Sequence, residues 1–193
     1  MIYYMSLAYG NPSVYRELIE SVIENVNHRS RNRAYILTDS DEVISHNSDT
    51  KARFLKRENN SYYSKDRGMH NINANLFLDT ANFIGLYDDD FIVVLPPEYP
   101  DRTYEDIRDA LTYLHENHVN CLVSYRERPE DSPLPDTEYP IGDPESSILE
   151  IDEDGEYEIF DYLYITTPEI IKNNKERGNI SLIDPSQVFC WNP

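Results

Sequence analysis

Apolar and polar positions along the chain switch repeatedly between two periods. Ile2 to Leu7 is a nearly continuous apolar run, the pattern of a strand covered on both faces. Asn11-Pro12 follows, an N-cap residue and then a proline suited to the first helical position. Val14, Leu18 and Val22, with Ile19, Ile23 and Val26 beside them, predict a helix over about 12–27 with one apolar face. Ala34 to Leu37 predicts a second strand, and residues 49–67 read as polar and irregular. Ile72, Leu76, Thr80 and Ile84, adjoined by Phe77 and Ala81, predict a helix over about 69–85. Phe91 to Leu95 is the strongest strand signal, an apolar run bounded by acids and prolines. Thr103 and Asp106 resemble a capping box with Asp in place of Glu. Behind them Ile107, Ala110, Leu111 and Leu114 mark the apolar face of a helix over about 103–117, and Cys121 to Tyr125 predicts another strand.

Strand and helix thus alternate, which argues a three-layer α/β fold: a mostly parallel sheet with helices on both faces. Phe91–Leu95 is expected at its centre, parallel to Ile2–Leu7. After Tyr125 the alternation stops, and about 126–156 reads as an irregular excursion rich in proline and acids. Tyr157 to Ile165 resumes as a strand, Thr167-Pro168 opens a short helix through Ile171, and Val188 to Trp191 is apolar enough to dock. The 193 residues suit a single domain over 1–193, with no internal repeat.

Charge narrows the function classes. The chain carries 36 acidic and 17 basic residues, a formal net charge of −19. Such a surface repels phosphate backbones, so nucleic-acid binding is not expected, whereas protein partners are. No apolar stretch approaches the roughly 20 residues of a membrane helix, and the start of the chain lacks the pattern of a signal peptide. Cys121 and Cys190 show no zinc spacing, and Cys121 reads as a core residue. The expected location is the cytoplasm or the interior of a viral particle. One segment opposes the acidic trend: Lys51, Arg53, Lys56, Arg57, Lys65 and Arg67 face only Glu58 and Asp66. It could attract an anion such as a triphosphate.

In open α/β sheets ligands bind beyond the carboxyl ends of the strands. That rule selects Ala8 to Asn11, Thr38 to Asp41, Pro96 to Arg102, Arg126 onwards, and Thr166-Thr167. It rejects Asp88-Asp89-Asp90, which imitates an acidic metal motif but precedes its strand; the triplet reads as a solvated turn. The five histidines show no metal spacing with Asp or Glu, and His115 and His118 read as a solvated pair at a polar helix end. The sixteen tyrosines look like packing and interface residues.

Several segments together resemble the acylneuraminate cytidylyltransferases, the CMP-sialic acid synthetases. Thr38-Asp39-Ser40-Asp41-Glu42-Val43 follows the second strand, and Lys56-Arg57 stands downstream. A Leu-x-Pro-x-x-Pro-x-Arg-Thr frame runs from Leu95 to Thr103, with Glu105-Asp106-Ile107 beyond it. Leu122-Val123-Ser124 and Asp161-Tyr162-Leu163-Tyr164-Ile165 resemble two further stretches of that family. The resemblance covers about 33–167 with gaps, and implies a nucleotide-diphospho-sugar transferase-like fold. It also implies magnesium-assisted transfer of CMP from CTP to an acidic sugar. That chemistry needs cations on the triphosphate and carboxylates on the metal.

Departures from the family's pattern point elsewhere. Where it has a basic, glycine-rich loop after the first strand, this chain has Ala8-Tyr9-Gly10-Asn11-Pro12, with no Lys or Arg. The family's Gln in the proline loop is Pro96, the Asn before its late strand is Asp161, and its metal-holding acids reduce to Asp184 beside Ser186. Two expectations follow. One is a catalytically degenerate cytidylyltransferase-like protein that serves as a binding or structural subunit, for instance of a viral assembly. The other is an active, divergent nucleotidyltransferase joining CTP to an acidic sugar. On the second, Asn11, Arg57 and Arg67 would bind nucleotide or phosphate, Arg102 and Arg126 the sugar substrate, and Asp184 with Asp39 the magnesium.

Overall fold

The computed structural model describes residues 1–8, 16, 19–20, 26, 33–56, 74–96, 99, 102–127, 148–152, 155–177, 182 and 189–191. Its strands are β1 (Ile2–Leu7), β2 (Ala34–Thr38), β3 (Arg53–Lys56), β4 (Phe91–Val94), β5 (Leu122–Glu127), β6 (Ile148–Asp152), β7 (Gly155–Thr166) and β8 (Phe189–Trp191). Its helices described from end to end are α1 (Asp41–His46), α2 (Asn75–Ile84), α3 (Tyr104–Glu116) and α4 (Pro168–Glu176). Arg16, Ile19 and Glu20 are helical within the helix expected over 12–27; most of that helix lies outside the described residues.

The strands form one sheet in the order β3-β2-β1-β4-β7-β5-β8, with β6 added on β7. β1 runs parallel to both β2 and β4, with Ile2 opposite Phe91, and β2 runs parallel to β3. Phe91–Val94 is therefore central and parallel to Ile2–Leu7, as its uninterrupted apolar run demands. β7 is inserted antiparallel between β4 and β5, pairing Ile92 with Thr166 on one side and Val123 with Tyr164 on the other. β8 lies parallel on β5, so the apolar tail docks.

Side chains alternate across this sheet and divide the core in two. On one face Met5, Leu7, Ile92, Val94, Val123 and Tyr164 pack beneath Leu76, Phe77, Ala81, Ile170 and Ile171 of α2 and α4. On the other, Tyr4, Ile36, Val93, Leu95, Leu122 and Leu163 pack beneath Val43 of α1 and Ile107, Ala110 and Leu114 of α3, with Ile19 and Val26 beside them. Cys121 is buried on the first face. The three-layer α/β architecture is thereby established.

Local chemistry explains the element ends. Thr103 accepts from Asp106 N–H while the Asp106 carboxylate accepts from Thr103 N–H, a complete capping box. Thr167 caps α4, with Pro168 in the first turn, and the helix runs on to Glu176, beyond the Ile171 expected. α2 closes on Gly85 in the left-handed conformation (φ 76°), which glycine adopts without a Cβ clash.

Two segments differ from the sequence expectation. Residues 49–67 are not irregular throughout, because Arg53–Lys56 forms β3 at the sheet edge. Phe54 and Leu55 are its apolar residues, and the flanking charges suit an edge strand. The excursion over 126–156 likewise contains the end of β5 and all of β6, which pairs antiparallel with β7 through Leu149 and Tyr157.

Candidate functional site

Four parallel strands deliver their carboxyl ends to one edge of the sheet. Ala8 follows β1, its N–H donating to Leu37 O at 2.9 Å; Leu95 follows β4, its N–H donating to Met5 O at 2.8 Å. After β2, Ser40 turns the chain into α1: its N–H donates to Thr38 Oγ1 and its Oγ accepts from Val43 N–H, both at 3.2 Å. Asp39 stands half-exposed in the bend between them. Lys56 closes β3 at the same edge, where its ammonium lies 2.5 Å from Asp41 Oδ2. Both partners are substantially exposed, so solvent screens the pair and leaves it weak.

The next part of the edge is braced from within. Arg102 is only 2% exposed. Its guanidinium donates to the carbonyls of Pro96, at 3.0 Å, and Tyr162, at 2.5 Å. It also lies over the Tyr162 ring, 5.6 Å from the centroid, and Tyr99 meets that ring edge-on. Tyr162 OH donates to Asp106 Oδ2 at 2.8 Å. A buried hydroxyl locks the neighbouring strand: Ser124 Oγ accepts from Tyr162 N–H and Leu163 N–H at 3.1 and 3.0 Å and donates to Leu163 O. It does so where the β5–β7 register shifts between Val123 and Tyr125, so the side chain satisfies backbone groups that the interrupted ladder leaves over.

Asp106 collects the charge of this brace. Burial alone would raise its carboxyl. Hydrogen bonds from Thr103 N–H, Tyr162 OH and Thr103 Oγ1, together with the Arg102 charge, outweigh burial and hold it below the ordinary carboxylate value. The arrangement ties Pro96 and Arg102, the described ends of the proline segment, to Tyr162 of β7.

The sequence candidates distribute unevenly over this geometry. Asn11, Arg57, Arg67 and Asp184 lie outside the described residues. Asp39 is at the edge. Arg102 is there too, but its guanidinium is turned onto protein carbonyls. Arg126 sits near the end of β5, opposite Glu158 of β7, in the part of those strands that runs on beyond the pairing with β4. Tyr162, expected as a packing residue, and Ser124, which the sequence gives no role, are both part of this brace. Both lie within their strands, Ser124 in β5 and Tyr162 in β7, so no boundary residue marks them in the sequence. Among the described residues no three His, Cys, Asp or Glu side chains converge to hold a metal ion.

The opposite edge carries the acidic triplet. Asp88 and Asp89 are exposed, and Asp88 pairs with Lys172 of α4. Asp90 departs from the expectation of a solvated turn: it is 4% exposed. Its carboxylate accepts from the Met1 ammonium at 2.6 Å and from Tyr87 N–H at 2.9 Å. Burial works against its charge, and these two donors outweigh it, keeping the carboxyl below its ordinary value. Asp90 thus links the start of β4 to the start of β1.

Comparison of the fold with solved structures gives full-length matches. CMP:2-keto-3-deoxy-manno-octonic acid synthetase complexed with CTP matches with a TM-score of 0.59 and 8% identity, over 100% of this chain and 90% of that one. A Bacillus anthracis protein assigned as a glucose-1-phosphate thymidylyltransferase, in complex with sucrose, gives 0.59 and 13%, over 100% and 87%. The 4-diphosphocytidyl-2C-methyl-D-erythritol synthase of Anaerococcus prevotii gives 0.58 and 10%, over 100% and 88%. The chain shares the three-layer α/β fold of these enzymes. At these identities the likeness is one of fold alone. No protein-family model matches the chain, and no curated protein does.

Proposed function

We propose that this chain is a catalytically degenerate cytidylyltransferase-like protein, with motifs that resemble the acylneuraminate branch, that serves as a binding or structural subunit. The observation that supports this reading is the state of the cations at the carboxyl edge. Arg102 is buried on the Pro96 and Tyr162 carbonyls, and the loop after β1 contains no Lys or Arg. A triphosphate carries about four negative charges, and charges more than about 8 Å away are screened at physiological ionic strength. Neutralisation must therefore come from side chains at the edge itself. The net charge of −19 adds repulsion.

One observation favours the second reading, an active nucleotidyltransferase that uses CTP, magnesium and an acidic sugar. β3 delivers Lys56 to this edge, and Arg57 follows it in the basic segment. On that reading Asp39 and Asp184 would hold the magnesium, which polarises the α-phosphate when bound. Isothermal titration with CTP and magnesium, on wild type and on Arg57→Ala, separates the two. The subunit reading expects millimolar binding or none in both proteins, and no turnover with sialic acid. Micromolar binding that disappears in Arg57→Ala refutes it and restores the enzyme.

A further inference from the structure

Two strands with a bare side carry opposite charge. Among the described residues the sheet ends on β3 and β8, and β6 pairs on one side only, with β7. β3 lies in the run from Lys51 to Arg57, which holds Lys51, Arg53, Lys56 and Arg57 and no acid. Arg53 is exposed and has no ion pair among the described residues, and Lys56 has only its weak, exposed pair with Asp41. β6 opens onto the run from Glu150 to Glu158, which holds six acids and no base. β8, Phe189–Trp191, is uncharged.

The acidic hairpin is not balanced within its own ladder. Glu150 stands directly opposite Glu156, a like-charge rung that weakens a strand pair. Arg126 of β5 stands opposite Glu158, but β6 and β7 themselves hold no Lys or Arg. A cation brought from outside relieves the Glu150–Glu156 rung.

Within one chain the two bare edges do not meet. Tyr157 and Glu158 of β7 pair with β5 on one side and β6 on the other, so β6 shares a side of β7 with β4 and lies beyond the carboxyl end of β4. β1 and β2 stand between that position and β3. Three strand spacings make about 14 Å, far beyond hydrogen-bond reach. Pairing of these edges therefore needs a second copy. Charge also selects among the pairings open to two copies: β3 on β3 sets base against base, β6 on β6 sets acid against acid, and β3 on β6 is complementary.

We propose that two copies of this chain associate by adding β6 of one to the bare edge of β3 of the other. The N–H and C=O groups of Arg53–Lys56 pair with those of Ile148–Asp152, as when an extended segment joins a sheet edge, and the two strands bring opposite charges together. A reciprocal arrangement makes the contact twice and closes a dimer. Strands of four and five residues bury little area, so the association is weak and salt-sensitive. A second copy is thus the partner in the subunit reading, and the contact holds equally if the carboxyl edge turns over CTP.

Sedimentation velocity from about 1 to 100 μM, at about 0.05 and 0.5 M salt, tests it, since the screening length shortens about threefold between the two. Wild type is expected to approach the mass of a dimer at low salt and to return to single chains at high salt. Arg53→Glu with Lys56→Glu, and separately Glu150→Lys with Asp152→Lys, are each expected to weaken association at least about tenfold. An equimolar mixture of the two variants restores opposite charge at both contacts and is expected to associate as wild type does, a rescue that two misfolded proteins would not give. Amide exchange at Arg53–Lys56 and Ile148–Asp152 is expected to slow as wild-type concentration rises. Wild type that stays single at low salt, association undiminished in both variants, a mixture that stays as single chains, or exchange at these strands independent of concentration overturns the proposal.

Discussion

Replacing Arg102 with Met separates a brace from a ligand-binding residue. Met keeps an apolar stem of similar reach and removes the guanidinium. The buried carbonyl of Pro96 and the part-buried carbonyl of Tyr162 then lose this donor. Hydrogen bonds from a charged donor contribute about 1.5–3 kcal/mol each. The gross loss is therefore about 3–6 kcal/mol, with the cation–aromatic contact over Tyr162 adding to it. Against this, the variant no longer buries a charge that is 2% exposed, and that relief returns part of the loss. A net destabilisation of about 3 kcal/mol is expected, a large share of the about 5–15 kcal/mol typical of a domain. For a chain of this size about 2–4 °C accompanies each kcal/mol, so Tm should fall by about 6–12 °C. Urea unfolding followed by tryptophan fluorescence measures the change, with CTP titration of the same variant beside it. A Tm within 1 °C of wild type, together with a loss of ligand affinity, would refute the brace and return Arg102 to the substrate.

Further outcomes follow from the same network. Thr103→Ala removes the capping hydroxyl of α3 and should cost about 1 kcal/mol in urea unfolding, because the Asp106 carboxylate keeps only half of the box. Asp106 has a folded pKa below its ordinary value of 3.8, so its charged form stabilises the fold above that value and the contribution disappears as pH falls through the lower folded value. The Tm difference between wild type and Asp106→Asn should accordingly be constant from pH 7 to about 5 and shrink below about pH 4. Tyr162→Phe should move the Asp106 titration back toward 3.8 by NMR, since it removes one of the donors that hold it down.

What was legible in the chain depended on whether a segment carries its own pattern. Phe91–Val94 is apolar throughout because it is covered on both faces and paired on both edges, and such a strand announces itself. Thr103 and Asp106 announce a helix start because the capping bonds are local. Arg53–Lys56 was hidden: an edge strand of four residues with charged ends has no period to read. α1 was hidden for a related reason, since its six residues bury only Val43. Asp90 read as solvated because nothing in the triplet tells which acid turns inward; the choice follows from the Met1 ammonium, distant in sequence. The site was legible as an edge, from the order of strands. The role of Arg102 was not, because the carbonyl it needs belongs to Tyr162, and its orientation is set by a strand that arrives much later in the chain.

That late arrival bears on how the molecule assembles during synthesis. β1 to β4 can pair as soon as the first half of the chain is made, and they do so by parallel contacts between neighbours in sequence order or nearly so. The outer edge of β4 is then bare. Its permanent partner, β7, is made only after β5 and β6, and β5 can join the sheet only through it. Until Thr166 has been made, an apolar strand of the future centre presents unpaired N–H and C=O groups to solvent, a template for wrong pairing. Non-local closure of this kind slows folding, because chain entropy is lost before the pairing that offsets it is gained. The two halves of the sheet are therefore expected to form at different times, with β7 joining them last.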